Sequence, residues 1–262
     1  MIACDLQGAA VLVTRPRQQA AGLAAAVREL GGQPVLFPAL EVEAAGGGLP
    51  PGGLEGVELV VFVSRNAVRF GLPNLQAAGG IPAAARVAAI GAATAAELQT
   101  MGVADVIVPR AGADSEALSA EPALADVRGR RVLIVRGAHG REHLADVLTA
   151  RGAQVRYHDC YRRRRPAAPA GGLVALWQRS QIRGWTATSA EIVDNLFAVG
   201  GAAAEQALRH TPLFVPHARI AARAFSRGVE TIVVTAPGDR AIAAGLATWF
   251  CRLRILQTSK QD

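Results

Sequence analysis

"VLVTRPRQQAAGLAAAVRELGGQPV", Val11 to Val35, and "VLIVRGAHGREHLADVLTARGAQV", Val132 to Val155, decide how this chain is read. Each opens on an apolar run that ends in arginine (Arg15, Arg136) and continues into an Ala/Leu-rich segment that ends at glycine (Gly31, Gly152). Two further pairs keep the same order. "VVFVSRNAVRFGL" aligns with "GWTATSAEIVDNL", Ser64 on Ser189, and "AAIGAATAAELQTMGVADVIV" aligns with "LFVPHARIAARAFSRGVETIVV", Gly102 on Gly228. Arg15 to Arg136, Ser64 to Ser189 and Gly102 to Gly228 are offsets of 121, 125 and 126 residues. A nearly constant offset over three ordered pairs is the signature of a duplicated unit.

The unit is of the α/β class. Short apolar runs at 9–14, 34–37, 58–63, 86–90, 105–108, 131–135, 154–158, 182–187, 212–215 and 231–235 read as strands, separated by helical stretches. Strands that are apolar on both faces, alternating with helices, indicate parallel sheets. So many strands exceed the usual single sheet, and two sheets in two domains follow.

Composition narrows the class. A chain of 262 residues can bury a core without cross-links, and three scattered cysteines (Cys4, Cys160, Cys251) suggest reduced thiols in a cytoplasmic protein. No basic leader precedes the first strand, and no apolar run is long enough to span a membrane. The formal charge of +7 is carried by arginine, Lys260 being the only lysine. Arginine forks onto carboxylate and phosphate, so a polyanionic ligand is the natural expectation; GC-rich coding would give the same bias. Nucleic acid would fit the charge too, but aromatics amount to 5% and are not interleaved with the basic residues, which weakens a single-strand reading and leaves that partner resting on charge alone.

His139, Glu142 and His143 spell H-x-x-E-H, a zinc-peptidase pattern. That chemistry needs an uninterrupted helix and a third ligand. Gly137 and Gly140 instead mark a strand-to-helix turn, so no metal is expected. Such a turn exposes backbone N–H groups at a helix N-terminus, and Arg136 and Arg141 flank it: an anion-binding arrangement. The plain alternative is a surface turn with solvated arginines. Ser64-Arg65-Asn66, Thr94, Thr188-Ser189 and His217-Ala218-Arg219 occupy the corresponding turns of the other strands. Their side chains are natural N-caps, and turns at the carboxyl edge of a parallel sheet are where ligands bind. Neither G-x-G-x-x-G nor a Walker loop occurs, so a nucleotide cofactor has no signal.

These segments, together with "CYRR" at 160–163 and "VPHARIAARA" at 215–224, resemble the uroporphyrinogen III synthase family over almost the whole chain. The resemblance implies two flavodoxin-like parallel-sheet domains joined by a two-stranded linker, the first domain being discontinuous. Residues 1–38 plus 166–262 would form it, 42–160 the inserted domain, with linkers near 37–44 and 158–165. It implies a cytoplasmic, monomeric lyase that cyclises hydroxymethylbilane, a polycarboxylate, with inversion of ring D and loss of water, using no cofactor or metal. Arg15, Ser64, Asn66, Thr94, Arg136, Gly137, Arg141, Thr188, Ser189, His217 and Arg219 would bind substrate. Tyr161 matches the linker tyrosine proposed to assist departure of the hydroxyl; packing the hinge is its other reading. A phenol carries its proton at neutral pH and can donate it, yet Tyr161→Phe is expected to keep activity within about tenfold because positioning dominates. Ile220 and Val63 stand where relatives often carry threonine, which weakens any hydroxyl contact there. A two-lobed polyanion sensor without catalysis is the alternative from another class.

Overall fold

The computed structural model describes residues 4–46, 48–49, 53–138, 140, 142–167 and 171–258. The chain begins with β1 (Ala10–Val13), α1 (Ala21–Glu29), β2 (Gln33–Leu36) and β3 (Glu41–Ala44). It continues through β4 (Val57–Phe62), α2 (Arg65–Ala77), β5 (Arg86–Ala89), α3 (Ala92–Thr100), β6 (Val106–Ile107) and α4 (Ser115–Ser119). Then come β7 (Arg131–Gly137), α5 (His143–Ala150), β8 (Gln154–Arg164), α6 (Gly172–Ser180), β9 (Ile182–Thr186), α7 (Ala190–Val199) and α8 (Gly201–His210). The last elements are β10 (Leu213–Val215), α9 (Ala218–Ser226), β11 (Ile232–Val234) and α10 (Asp239–Thr258). Every run read as a strand from sequence is one. β3 lies outside those runs: its "EVEA" segment falls in the linker near 37–44, one strand of the two-stranded linker that the resemblance implied.

The chain divides into two compact units, Met1–Glu41 with Arg164–Asp262, and Val42–Arg163. In the first, the five-stranded sheet runs β11-β10-β9-β1-β2. Counted in chain order within the unit, that is 2-1-3-4-5 read from β2, the flavodoxin-like order. In the second, the six-stranded sheet runs β3-β8-β7-β4-β5-β6. The sequence repeat equates β7 with β1, β8 with β2, β4 with β9, β5 with β10 and β6 with β11. Under that mapping the two sheets share one strand order, and the second copy enters it at a different strand. Duplication is therefore accompanied by circular permutation: β7-α5-β8 comes last in its unit, whereas β1-α1-β2 comes first.

Burial explains why these runs form central strands. β1 is buried at all four positions and β7 at all but its first. Each sheet is covered on both faces by helices, with two buried apolar clusters per unit. Fully buried parallel strands have no polar face, hence their unbroken apolar runs. β3 differs because it pairs at the margin of its sheet. Ala45 N–H donates to Cys160 C=O at 3.1 Å, Glu43 pairs with Arg162 at 2.6 Å and Glu41 with Arg164 at 2.7 Å. Falling numbers on one strand against rising numbers on the other make β3 and β8 antiparallel. The chain passes between its two units along these same two strands.

Two findings were not legible in the sequence. Cys4 and Cys251 are joined as a disulfide with Cα atoms 5.4 Å apart, tying the segment before β1 to α10; only Cys160 is a free thiol among the described residues. This corrects the expectation of three reduced thiols. The separation of 247 residues left nothing in the spacing to suggest the pair.

The second is His158, 1% exposed within β8. Asn74 Nδ2 of α2 donates to its Nε2 at 3.2 Å. Burial holds its pKa below the usual imidazole value, while the Gly48 backbone and Asp159 pull it back only in part. Because the folded pKa is depressed, the unfolded chain binds the proton more readily. Stability is thus present above the unfolded value of about 6.5 and falls as pH drops through it. The urea midpoint should fall more between pH 7.5 and 5.5 in the wild type than in His158→Gln. Parallel declines would show that other groups carry the pH dependence.

Candidate functional site

In the Val42–Arg163 unit, the turns at the carboxyl edge converge on Tyr161. Ser64 follows β4 in extended conformation (φ −169°, ψ 162°), and its Oγ accepts the Ala67 N–H at 3.0 Å, capping α2. The same Oγ lies 3.1 Å from the Tyr161 hydroxyl. Tyr161 is 5% exposed and belongs to the apolar cluster beneath α2, its ring 6.0 Å from that of Phe70. A register shift between β7 and β8 brings Gly137 opposite Tyr161, and Ala138 N–H donates to Tyr161 C=O at 2.8 Å. A Cβ on Gly137 would stand 2.5 Å from Cε2 and Cζ of that ring. The glycine is required here by close approach, because the aromatic face occupies the space a side chain would take.

Arg136, one residue earlier, points into its own network. Its Nε donates to Asp159 Oδ1 at 2.9 Å and its Nη1 to Glu142 Oε1 at 2.8 Å, with the guanidinium 3.5 Å from the centroid of the Tyr157 ring. The Tyr157 hydroxyl donates to the other Glu142 oxygen. Burial, and then that carboxylate, push the Tyr157 phenol up to about 12; the Tyr157 hydroxyl, and then Arg136, hold Glu142 below the usual carboxylate range. Glu142 is thereby committed at the N-cap position of α5, which begins only at His143. The zinc pattern is not a continuous helix, and among the described residues no group of three or more His, Cys, Asp or Glu could hold a metal. His139 and Arg141 lie outside the described residues. Asn66 is half-buried on the first turn of α2, while Thr94 is 4% exposed on the first turn of α3, behind the Gly91 cap.

The other unit carries the equivalent turns. Arg15 follows β1, and its Nη1 donates to Asp239, the first residue of α10. Ser189 caps α7 by accepting the Ile192 N–H at 3.2 Å, with Thr188 half-buried before it. His217 stands at the N-cap of α9 without a side-chain cap bond; it and Arg219 are exposed, and Ile220 is fully buried. Beneath these turns Thr14 Oγ1 donates to Thr186 C=O, and Thr186 Oγ1 to Leu12 C=O at 3.2 Å, so buried hydroxyls lock β1 to β9. Sequence reading missed these threonines, although each ends an apolar strand. It also missed Asp159 and Asp239, the acids that answer the two equivalent arginines.

The architecture and its edges define a class: a duplicated, permuted flavodoxin-like α/β protein in which a serine caps one helix N-terminus at the carboxyl edge of each sheet. Comparison with known proteins makes the class specific. A family model described as uroporphyrinogen-III synthase HemD matches residues 21–240. The uroporphyrinogen-III synthase of Escherichia coli is 32% identical over 236 residues, covering 87% of this chain and 96% of that protein. The one from Salmonella typhimurium is 35% identical over 195 residues, covering 72% and 79%. Among solved structures, uroporphyrinogen-III synthetase from Helicobacter pylori has a TM-score of 0.62 at 15% identity, covering 93% of this chain and 99% of its own. A Thermus thermophilus uroporphyrinogen III synthase has 0.58 at 21%, covering 94% and 99%. The chain belongs to the uroporphyrinogen-III synthase family.

Proposed function

We propose that this protein is a uroporphyrinogen III synthase, a lyase that closes hydroxymethylbilane into uroporphyrinogen III with inversion of ring D and loss of water, in haem biosynthesis. The family match across residues 21–240 carries this reading. The geometry supplies chemistry that fits it. A flexible polycarboxylate has to be held in one folded conformation while its terminal hydroxyl leaves, so that the far ring attacks through its substituted carbon. Holding a reactive conformer is a matter of many directed donors rather than of one strong acid or base. Helix N-termini offer such donors: the first backbone N–H groups of α2 and α7, beside Ser64, Asn66, Thr188 and Ser189, and those of α9, whose N-cap makes no side-chain bond, beside His217 and Arg219. Thr94 and Gly137 lie on further turns at the carboxyl edge of the six-stranded sheet, and Arg141 belongs to the proposed set by its place in the sequence alone. Arg15 and Arg136 reach carboxylate ligands by exchanging partners with their own acids.

In the same reading the two compact units are the two domains of the family layout, and the enzyme works as a cytoplasmic monomer without nucleic acid or cofactor. No helix among the described residues is long and apolar enough to cross a membrane. Several surface arginines are already paired within the chain: Arg69 with Glu97, Arg209 with Glu205, and Arg223 and Arg227 with Asp194. That favours a small polyanion over a nucleic acid as the partner of the rest. After exhaustive chelation, the purified protein should still consume enzymatically generated hydroxymethylbilane at the undiminished rate. Loss of activity on chelation, restored by a divalent metal, would overturn the cofactor-free reading.

A further inference from the structure

Two hydroxyls meet at the edge of the Val42–Arg163 unit, and the hydrogen bonds around them can be counted. Ser64 Oγ accepts the Ala67 N–H at 3.0 Å and shares one hydrogen bond with Tyr161 Oη at 3.1 Å. Between them the two groups carry two hydroxyl protons, and the bond that joins them uses one. With Ser64 donating, its second role as an acceptor from Ala67 is undisturbed and the Tyr161 proton is left to point outward. The serine is itself fixed, because its oxygen is held by the helix it caps.

The phenol has little freedom. Its ring packs on Gly137, where even a methyl group would stand 2.5 Å from ring carbons, and against Phe70. The Tyr161 carbonyl is held by Ala138 N–H at 2.8 Å. We infer that Ser64 is a positioning residue for Tyr161: its hydroxyl donates to the phenol oxygen, so that the phenol proton is presented to an acceptor on the substrate. This rests on the synthase reading above and deepens it. The acceptor that fits is the departing hydroxyl of hydroxymethylbilane, to which the phenol donates a hydrogen bond.

A double-mutant cycle tests this. Tyr161→Phe keeps the ring and removes the proton. Ser64→Gly removes the hydroxyl while leaving a residue that helix N-termini favour, so the loss of the cap is kept small. Each single variant should lower kcat by several-fold, up to about tenfold, with KM changed by less than about twofold. The double variant should be no slower than the slower single one, and Ser64→Thr should recover most of the rate. Independent effects would instead multiply to about a hundredfold. A multiplied loss, or a Tyr161→Phe enzyme that loses nothing, overturns the positioning role while leaving the synthase reading intact. A wild-type protein that forms no type III isomer sinks the synthase reading itself, and the positioning role with it.

Discussion

Replacing Gly137 with alanine is expected to cost both stability and activity, and more of each than removing the Tyr161 hydroxyl. The new methyl would stand 2.5 Å from Cε2 and Cζ of the Tyr161 ring and 3.0 Å from its hydroxyl oxygen. The ring cannot swing aside freely, since it lies in the apolar cluster with Val135, Cys160 and Phe70. Either the ring leaves Ser64 or the β7–β8 edge opens at the register shift, where Ala138 N–H meets Tyr161 C=O. Overpacking of this kind costs about 1–3 kcal/mol, and a displacement of about 1 Å in a positioning group can cost on the order of a hundredfold in rate. Thermal unfolding and turnover measured on one preparation would check both. Tyr161→Leu should recover stability in the Gly137→Ala background, because the smaller side chain makes room, but not activity. Gly137→Ala at wild-type stability and rate would mean that the glycine is there for neither reason.

The second large effect belongs to Arg136. Its side chain is 10% exposed and binds two carboxylates that are themselves about half exposed, with the Tyr157 ring against its face. Removing the cation leaves Asp159 and Glu142 close together without a counter-charge. For a cation this buried the loss lies between that of a surface pair, up to about 1 kcal/mol, and that of a fully buried one, about 3–5 kcal/mol. We expect about 2–3 kcal/mol for Arg136→Ala by urea unfolding, against less than about 1 kcal/mol for Arg162→Ala, whose pair with Glu43 is largely exposed. Lysine should restore only part, because one ammonium cannot reproduce the Nε and Nη1 fork. An Arg136→Ala chain as stable as the wild type would show that this network carries no folding energy and that the arginine serves the substrate alone.

The contrast between these two residues shows where sequence reading stops. Strands were legible because central parallel strands are apolar on both faces. The duplication was legible because Arg15 and Arg136, and Ser64 and Ser189, keep their spacing. Ser64 and Ser189 could be read as caps because that role is settled within three residues of chain. Arg136 could not be placed, because its fate depends on Asp159, a neighbour brought alongside only by the pairing of β7 with β8. The pairing of Arg15 with Asp239 and of Cys4 with Cys251 is equally non-local. β3 could not be read from "EVEA" itself, which alternates weakly and gains its order from the partner β8; only the resemblance, with its two-stranded linker, implied a strand there. The permutation was implicit in the repeat, yet it became visible only in the strand order of the two sheets.

As a synthase, the fold imposes one outcome on a substrate that otherwise closes by itself to the uninverted type I isomer. The most direct measurement is the isomer distribution of porphyrins, after oxidation, from hydroxymethylbilane incubated with the protein and in buffer alone. Type III is expected in large excess with the protein and type I in buffer, with variants that loosen the site, such as Gly137→Ala, leaking type I. A distribution with the protein that matches buffer, at the spontaneous rate, would contradict it.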